Sequence, residues 1–508
     1  MSRPQIYHDP GRLPEIIDLC LDALRDSADV RIFRYAGALN RIHVLDKDET
    51  GPVKRLKGSV TLVPVDGTHL VEVLTRAAIH TKFDARSGAD KIINAPRPVA
   101  DGILSRGHWP EVPQLTGIVE AATLDLNGNE ISQPGYHPAT GLWLATSAAL
   151  PPMKGLRGKE TGKRGVDVLN AHLAGFPFVG EADKSAALAA VMTAILRRPM
   201  PSAPMFAIPA PTAGTGKTLL AEVVNIIATG RRPPVLSMGV DEQEFAKRVY
   251  GMLLANDLTL LIDNITRPIG NEDVLNQLLS QPVLRFRPLG GSGMVSVPTN
   301  CLVMATGNNL SIIGDAKRRT CLIRLDARME RPEQREFDKD ILAETLSRRD
   351  ELIRAALEIS KSYSAAGCPK VDAKPYGSFA DWDRMVRRPL IWHGLLDPLI
   401  ASEGLREQDP DMECMRLLFA AWIDLYGDQP KAAGDVVRDG LEYAFSGGEA
   451  LRPDLRDALQ MACSEKPNAR RLGYWLRNHR DRILDGMQLV QASADSHNKV
   501  ARWSVVTL

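Results

Sequence analysis

Apolar residues recur at helical spacing from Leu13 to Leu24 (Ile16, Ile17, Leu19, Cys20, Leu24), which predicts an amphipathic helix. Alternation follows: residues 30–34, 41–45, 59–65 and 71–74 read as strands. Turn signals at Asn127-Gly128 and Pro134-Gly135 then separate short β-rich runs, so residues 1–150 read as one α+β domain. Residues 151–165, rich in Pro, Gly, Lys and Arg, read as a mobile basic linker. Helices predicted at 166–174 and 182–198 complete a 151–204 lead-in. From 205 to 326 the pattern is strand–loop–helix, an α/β core. Residues 327–402 are mostly helical, with a long amphipathic run from Asp340 to Tyr363. A polar break at 407–411 falls early in a last domain, 403–508.

Composition adds limits. With 508 residues, 44% apolar and 25% charged, the chain has the make-up of a soluble globular protein of about three or four domains. Lys+Arg (63) and Asp+Glu (62) cancel, so any nucleic-acid surface must be a local patch. The 6 cysteines form no CxxC pair, which argues against a zinc ribbon or a disulfide framework and fits a reducing compartment. The longest apolar stretch, 186–196, is too short to span a bilayer, and the N-terminus lacks the apolar core of a signal peptide. The expectation is a cytoplasmic protein with no membrane partner.

The densest chemistry lies at 205–224, MFAIPAPTAGTGKTLLAEVV. An apolar run feeds the turn Gly214-Thr215-Gly216-Lys217-Thr218 and then a helix. Such glycines let backbone N–H groups converge on phosphate oxygens, and the helix N-terminus adds positive partial charge. Lys217 would reach the outer phosphates and the Thr218 hydroxyl would coordinate Mg2+, so the expected cofactors are ATP and Mg2+. Pro211 stands where a first glycine is usual and removes one N–H at the loop's entry. A nucleotide-bound Mg2+ calls for an acid on a neighbouring strand. The run Leu258-Thr-Leu-Leu-Ile-Asp263 ends in one. Next comes Asn264, an amide where many such ATPases carry the glutamate that polarises water; Glu242 and Glu244 are the substitutes on offer. A third apolar run ends in Asn308-Asn309; on a strand between the other two, one of these amides would touch the γ-phosphate. The cluster Lys317-Arg318-Arg319 is a solvated face, a nucleic-acid contact or, in a ring, the source of an arginine finger, with Arg319 favoured slightly over Arg318.

Phosphate loop, acid-ended strand, amide-ended strand and paired arginines, in that order, resemble the AAA+ ATPases. The position of the arginines, with no lid arginine motif soon after the core, brings the chain nearer superfamily III helicases. Several passages resemble replicative helicases of phages and integrative elements (phage or plasmid primase/helicase). They are ISQPGYHPATGL at 131–142, AHLAGFPFVG at 171–180, PTAGTGKTLLAEV at 211–223, LLIDNI at 260–265, ATGNN at 305–309, ERPEQREF at 330–337 and DWDRMVRRPLIWHGLLDP at 381–398. The resemblance covers nearly the whole chain and is most specific in the ATPase core. It implies an AAA+ type P-loop ATPase core, a homo-oligomer forming a hexameric ring, ATP hydrolysis, and movement on single-stranded or forked DNA. It also implies a hairpin between the sensor strands that points into the channel. Residues 283–297 alternate about a GGSG tip and set Arg285 and Arg287 on one face. The tip has no Lys or His, so a DNA-gripping hairpin and a plain one both stand.

Near the C-terminus, a predicted basic helix carries Arg470, Arg471, Arg477 and Arg480. β-like runs at 487–492 and 501–506 follow, joined by a polar loop, which is the order of a C-terminal winged helix. The local excess of cations suits a phosphate backbone; the alternative is a solvated helix on a protein-contact domain. Asp46, Asp48 and Glu49 resemble a primase paired-acid motif, but Lys47 stands where an apolar residue is expected. Trp382 and Trp392 read as core. The expected function is an ATP-dependent DNA helicase or translocase, an ATP hydrolase supporting replication of a phage or mobile element. The alternatives are a DNA-binding initiator ATPase without processive unwinding and a bifunctional primase-helicase.

Overall fold

The computed structural model of the protein describes residues 3–27, 31–49, 53–146, 158–239, 241–288, 293–335, 340–407, 410–442, 450–463, 466–492 and 500–508. Part of the expected linker (151–157), the hairpin tip (289–292) and the 493–499 loop lie outside the described residues. Contacts divide the chain into two units, 1–402 and 403–508.

In the first unit, β1 (Gln5–Tyr7) precedes α1 (Leu13–Asp26), which buries Ile16, Ile17, Cys20, Leu21 and Leu24 along one stripe. Strands β2 (Ile32–Tyr35), β3 (Ala38–Val44) and β4 (Val60–Pro64) make an antiparallel sheet. The strand expected at 71–74 is instead part of helix α2 (Gly67–Ala77). Asp66 caps it by accepting the His69 N–H, and Leu70, Val73, Leu74 and Ala77 are buried at helical, not alternating, spacing. Next, β5 (Ile79–Asp84) and β6 (Ala89–Ile93) join β1 in a sheet of order β1-β5-β6, followed by α3 (Arg97–Arg106). The short strands β7 (Gly117–Val119), β8 (Thr123–Leu124), β9 (Glu130–Ile131), β10 (Gly135–His137) and β11 (Leu142–Leu144) follow.

Behind β1 and β5 a buried histidine pair makes this region sensitive to acid. His8 Nε2 lies 2.8 Å from His80 Nδ1, and His80 Nε2 lies 3.0 Å from the Leu74 carbonyl oxygen. His80 therefore donates to Leu74 and accepts from His8. Burial, then the neighbouring His80 and Lys82, push His8 down to about 4. The unfolded chain takes up that proton from about pH 6.5 downward, so it binds more protons than the folded chain between these values. The contribution of His8 is complete above about pH 6.5 and is lost as pH falls towards 4, and burial of His80 acts in the same direction. Hydrogen exchange across β1 and β5 should show protection falling over this window, and His8→Gln should flatten the fall. An identical profile in the variant would remove the pair as its cause.

The linker read at 151–165 ends early, because α4 (Lys159–Leu173) begins inside it. Its glycines serve close packing rather than looseness. A Cβ at Gly165 would sit 2.4 Å from the Ala355 carbonyl oxygen, and one at Gly162 would sit 2.2 Å from Ser362 Oγ. Helix α5 (Glu181–Leu196) is buried on nearly every side. The α/β layer follows: β12 (Met205–Ala210), α6 (Lys217–Thr229), β13 (Val235–Leu236), α7 (Glu242–Ala255), β14 (Thr259–Ile265) and α8 (Asp273–Ser280). A hairpin of β15 (Val283–Phe286) and β16 (Val295–Pro298) leads to β17 (Leu302–Asn308) and β18 (Thr320–Leu322). Five strands form a parallel sheet in the order β13-β14-β17-β12-β18. Helices α9 (Ile341–Ser347), α10 (Arg349–Ala365), α11 (Ala380–Trp382) and α12 (Arg388–Trp392) come after, the last two joined by a π-turn over Asp383–Arg387. One hydrophobic core runs from Ala121 to Leu399, so the segments on either side of residues 150, 204 and 326 pack into a single unit. Trp382 is fully buried in it and donates to Thr193 Oγ1 at 2.8 Å.

A buried polar seam ties the N-terminal sheets to this layer. Arg55 forks onto Asp257 at 2.6–3.1 Å, and the Tyr35 hydroxyl donates to the Leu253 carbonyl at 2.6 Å. Arg198 donates to the carbonyls of Ile118 (3.0 Å) and Asn256 (2.6 Å) and to Asn300 Oδ1 (3.0 Å). Arg231 pairs with Glu120. These cations are spent inside the fold.

The second unit is entered along α13 (Ile400–Glu407). It contains α14 (Pro410–Tyr426), β19 (Lys431–Ala432), α15 (Ala433–Gly440), α16 (Pro453–Cys463), α17 (Ala469–Asn478), β20 (Ile483–Leu484), β21 (Met487–Ala492) and β22 (Arg502–Thr507). Its four strands lie in the order β19-β22-β21-β20, with Trp422, Leu476, Leu489 and Trp503 in the core. Among the described residues, no helix is long and apolar enough to cross a membrane.

Candidate functional site

Because the five strands are parallel, the C-terminal ends of β12, β14 and β17 open on one edge, where α/β sheets hold ligands. β17 lies between the other two, and Asn308 pairs with Ala210 at the end of β12. From Ala210 the chain turns into α6. Gly214 (φ +74°) and Gly216 (φ +103°) take left-handed conformations that bend the loop around α6's N-terminus. The Thr215 hydroxyl braces the loop by donating to the Thr212 carbonyl at 2.8 Å. On the outer side, a Cβ at Gly214 would sit 2.9 Å from the Glu333 backbone nitrogen, so the 332–334 turn packs on the loop.

Lys217 Nζ donates to the Thr212 carbonyl at 2.9 Å and to Asn308 Oδ1 at 2.8 Å. Burial lowers the pKa of this ammonium, with Asp263 opposing. It thus spans the loop mouth, where an anion would relieve its desolvation. Opposite, the Thr218 hydroxyl donates to Asp263 Oδ1 at 2.9 Å. The same oxygen accepts from Thr306 Oγ1, which in turn accepts the Asn264 N–H at 3.1 Å. Strand pairing slips between Ile262 and Ile265, and Asn264 is left-handed at φ +55°. This bulge aims Asp263 at α6 and leaves the Asn264 side chain exposed. Thr218 and Asp263 are hard oxygen donors side by side. They suit Mg2+, which takes one or two protein oxygens and completes its shell with phosphate oxygens and water. No cluster of three or more His, Cys, Asp or Glu able to hold a metal occurs among the described residues, so these two would hold the ion together with a nucleotide.

Other residues singled out from sequence fall as follows. Asn309 (φ +47°) uses its N–H to bind the Ala210 carbonyl at 3.0 Å, clipping β17 to β12. Glu242 accepts the Asp273 N–H at 2.7 Å and Glu244 pairs with Lys247 at 2.6 Å, so both are engaged elsewhere. Arg318 and Arg319 lie on the 3-10 turn Gly314–Arg319 and diverge. Arg319 is 11% exposed and held by Asp315 (2.7 Å) and the Asn276 carbonyl (3.1 Å), whereas Arg318, also paired to Asp315, is 59% exposed. Arg285 and Arg287 are exposed on the hairpin, while Phe286 between them stacks on Tyr250 at 3.9 Å. In the second unit, Arg470, Arg471, Arg477 and Arg480 are exposed and Leu472, Trp475 and Leu476 are buried opposite. Asp48 caps the Lys57 N–H, Glu49 pairs with Arg55 and Asp46 is exposed, so these acids do not converge. Sequence reasoning passed over Thr306 and Glu222. Thr306 precedes Asn308 by two on one strand, and Glu222 follows Thr218 by four on one helix; both periods put the pairs on a shared face. Burial, reinforced by Asp263, raises the Glu222 carboxyl against the pull of Arg232.

No family model matches the chain, and no curated protein matches it. Among solved structures, it is similar to one described as "The A form apo structure of NrS-1 C terminal region-CTR", with TM-score 0.38 and 14% identity over 88% of this chain and 100% of that one. It is similar to another described as "SCCmec type IV Cch - active helicase", with TM-score 0.31 and 11% identity over 95% of this chain and 98% of that one. Likeness of this size decides neither fold nor activity.

Proposed function

We propose that this protein is an ATP-driven motor on DNA, a helicase or translocase with an AAA+ type core, serving replication of a phage or mobile element. One observation carries the reading: Thr218 meets Asp263 at 2.9 Å while Lys217 meets Asn308 at 2.8 Å, on adjacent parallel strand ends. When bound, Mg-ATP supplies the free energy of phosphoanhydride cleavage. The loop N–H groups of 214–218 and Lys217 bind the phosphates, Thr218 and Asp263 hold the metal, and Asn308 orients Lys217 and the outer phosphate. The exposed side chain of Asn264 could orient an attacking water by hydrogen bonding but, being an amide, would not take its proton. In the second unit the helices α15, α16 and α17 are followed by the antiparallel strands β20, β21 and β22, and this order supports a winged helix, with Arg470, Arg471, Arg477 and Arg480 turned to a DNA backbone.

Exposure favours Arg318 over Arg319 as the finger of a ring-forming homo-oligomer, for which a hexamer is our reading. Arg318→Ala should keep nucleotide affinity and lower hydrolysis by about 1000-fold. Mixing it with Lys217→Ala subunits should restore part of the rate, because the Lys217→Ala subunit then supplies Arg318 to the intact loop of its Arg318→Ala neighbour. No recovery in mixed oligomers would remove the finger assignment.

The reading as a whole is tested by ATP hydrolysis with and without single-stranded DNA, together with strand displacement on a forked duplex. Stimulated hydrolysis with displacement is expected. A second reading, an initiator that binds and melts DNA without travelling, draws support from Asn264 and from the prior engagement of Glu242 and Glu244. Slow hydrolysis with no displacement would favour it.

A further inference from the structure

The sheet β1-β5-β6 takes no part in the nucleotide site, and its two faces carry different chemistry. Register defines its two faces. On one, Tyr7, Thr81 and Ile92 stand abreast, with Phe83 two residues further along β5. Tyr7 is 45%, Phe83 51% and Ile92 71% exposed, three large apolar side chains left in water around the buried Thr81, with Asp90 as Phe83's cross-strand neighbour. On the other face, Lys82 and Lys91 are direct cross-strand neighbours, and both are exposed. Like charges directly opposite each other destabilise a sheet. No ion pair among the described residues engages either lysine. Lys91 also lines a groove of about 490 Å3 with Arg3, His80, Asn94, Ile92 and Thr75. The ribbon and Arg3 carry four cations (Arg3, Lys82, Arg86, Lys91) against Asp84 and Asp90, and Asp84 already accepts the Arg86 N–H at 3.0 Å.

We propose that this sheet is a second nucleic-acid surface, one that takes single-stranded DNA. β6 is the edge strand, so a flexible polyanion crossing it meets both faces. Its phosphodiesters lie along Arg3, Lys91 and Lys82, relieving the like-charge pair. Its unstacked bases lie on Phe83, Tyr7 and Ile92. Every base has a π-face, so such a platform is tolerant of sequence. A duplex has its bases already stacked and cannot use these side chains. The assignment gives residues 1–94 a role that does not depend on ATP binding, so it can fail or hold independently of the motor reading.

The test uses the full chain without nucleotide. Fluorescence anisotropy with a labelled oligothymidylate is measured over a salt series, and photo-crosslinking to a 5-iodouracil oligonucleotide is mapped by mass spectrometry. Crosslinks are expected at Tyr7 and Phe83. Phe83→Ala with Tyr7→Ala should weaken binding about tenfold. Lys82→Glu and Lys91→Glu, made singly, should each weaken it and flatten the salt dependence by about one phosphate contact. Each turns a like-charge pair into an opposite one, so thermal stability should hold or rise, separating lost binding from lost folding. Wild-type affinity in all these variants, crosslinks confined to other segments, equal competition by duplex, or a change in native mass pointing to self-association would overturn the proposal.

Discussion

Lys217→Ala is expected to abolish nucleotide binding and hydrolysis. The ammonium reaches across the loop mouth, and its two present partners, the Thr212 carbonyl and Asn308 Oδ1, are acceptors that cannot replace it toward an anion. Losing a charge-assisted bond to the outer phosphates costs about 3 kcal/mol, which is about 100-fold or more in affinity. A titration with a fluorescent ATP analogue reads it directly. Asp263→Asn separates the metal from the phosphates: it keeps an oxygen beside Thr218 but loses the charge, so Mg2+ should no longer strengthen binding. If Lys217→Ala binds Mg-ATP within threefold of the unaltered chain, the 214–218 loop does not hold a triphosphate.

Arg55→Met is expected to loosen the first unit by about 3–5 kcal/mol, the usual result of stripping one partner from a buried ion pair. Asp257 is 9% exposed and takes three contacts from Arg55. Burial raises its carboxyl, and Arg55 opposes that rise. Without Arg55 the folded-state pKa climbs further above its unfolded value. A group shifted upward contributes most below its unfolded pKa and loses that contribution as pH rises through the folded one. The deficit should therefore be largest near neutral pH and shrink in acid, as Asp257 takes up a proton. Hydrogen exchange of β2–β4 and α7 measures it without assuming a single unfolding step for the whole chain. A pH-independent deficit would mean lost packing, not an orphaned charge.

How far the chain could be read follows from how local each signal is. GTGKT is contiguous and its glycine conformations belong to the backbone itself. The apolar runs ending at Asp263 and Asn308 state their own strands, because parallel strands buried on both faces are continuously apolar. The 71–74 run was too short to tell helix from strand, and the cap at Asp66 and Leu70 and Ala77 beyond the run decide it. Gly162 and Gly165 read as linker because composition cannot tell a flexible glycine from one pressed against another helix.

The site divides in the same way. Residue order alone determined that a Gly-Thr-Gly-Lys-Thr turn between a strand and a helix, a strand-end acid and a strand-end amide exist, since each depends on neighbours within a few positions. That Thr218 touches Asp263, that Thr306 braces it and that Lys217 reaches Asn308 depends on β17 lying between β12 and β14 and on a bulge at Asn264. Only tertiary packing could separate Arg318 from Arg319, because burial comes from chain segments far away in sequence, here Asn276 on α8. Local chemistry is written in order along the chain; which of two adjacent like residues meets solvent is settled by whatever packs on them.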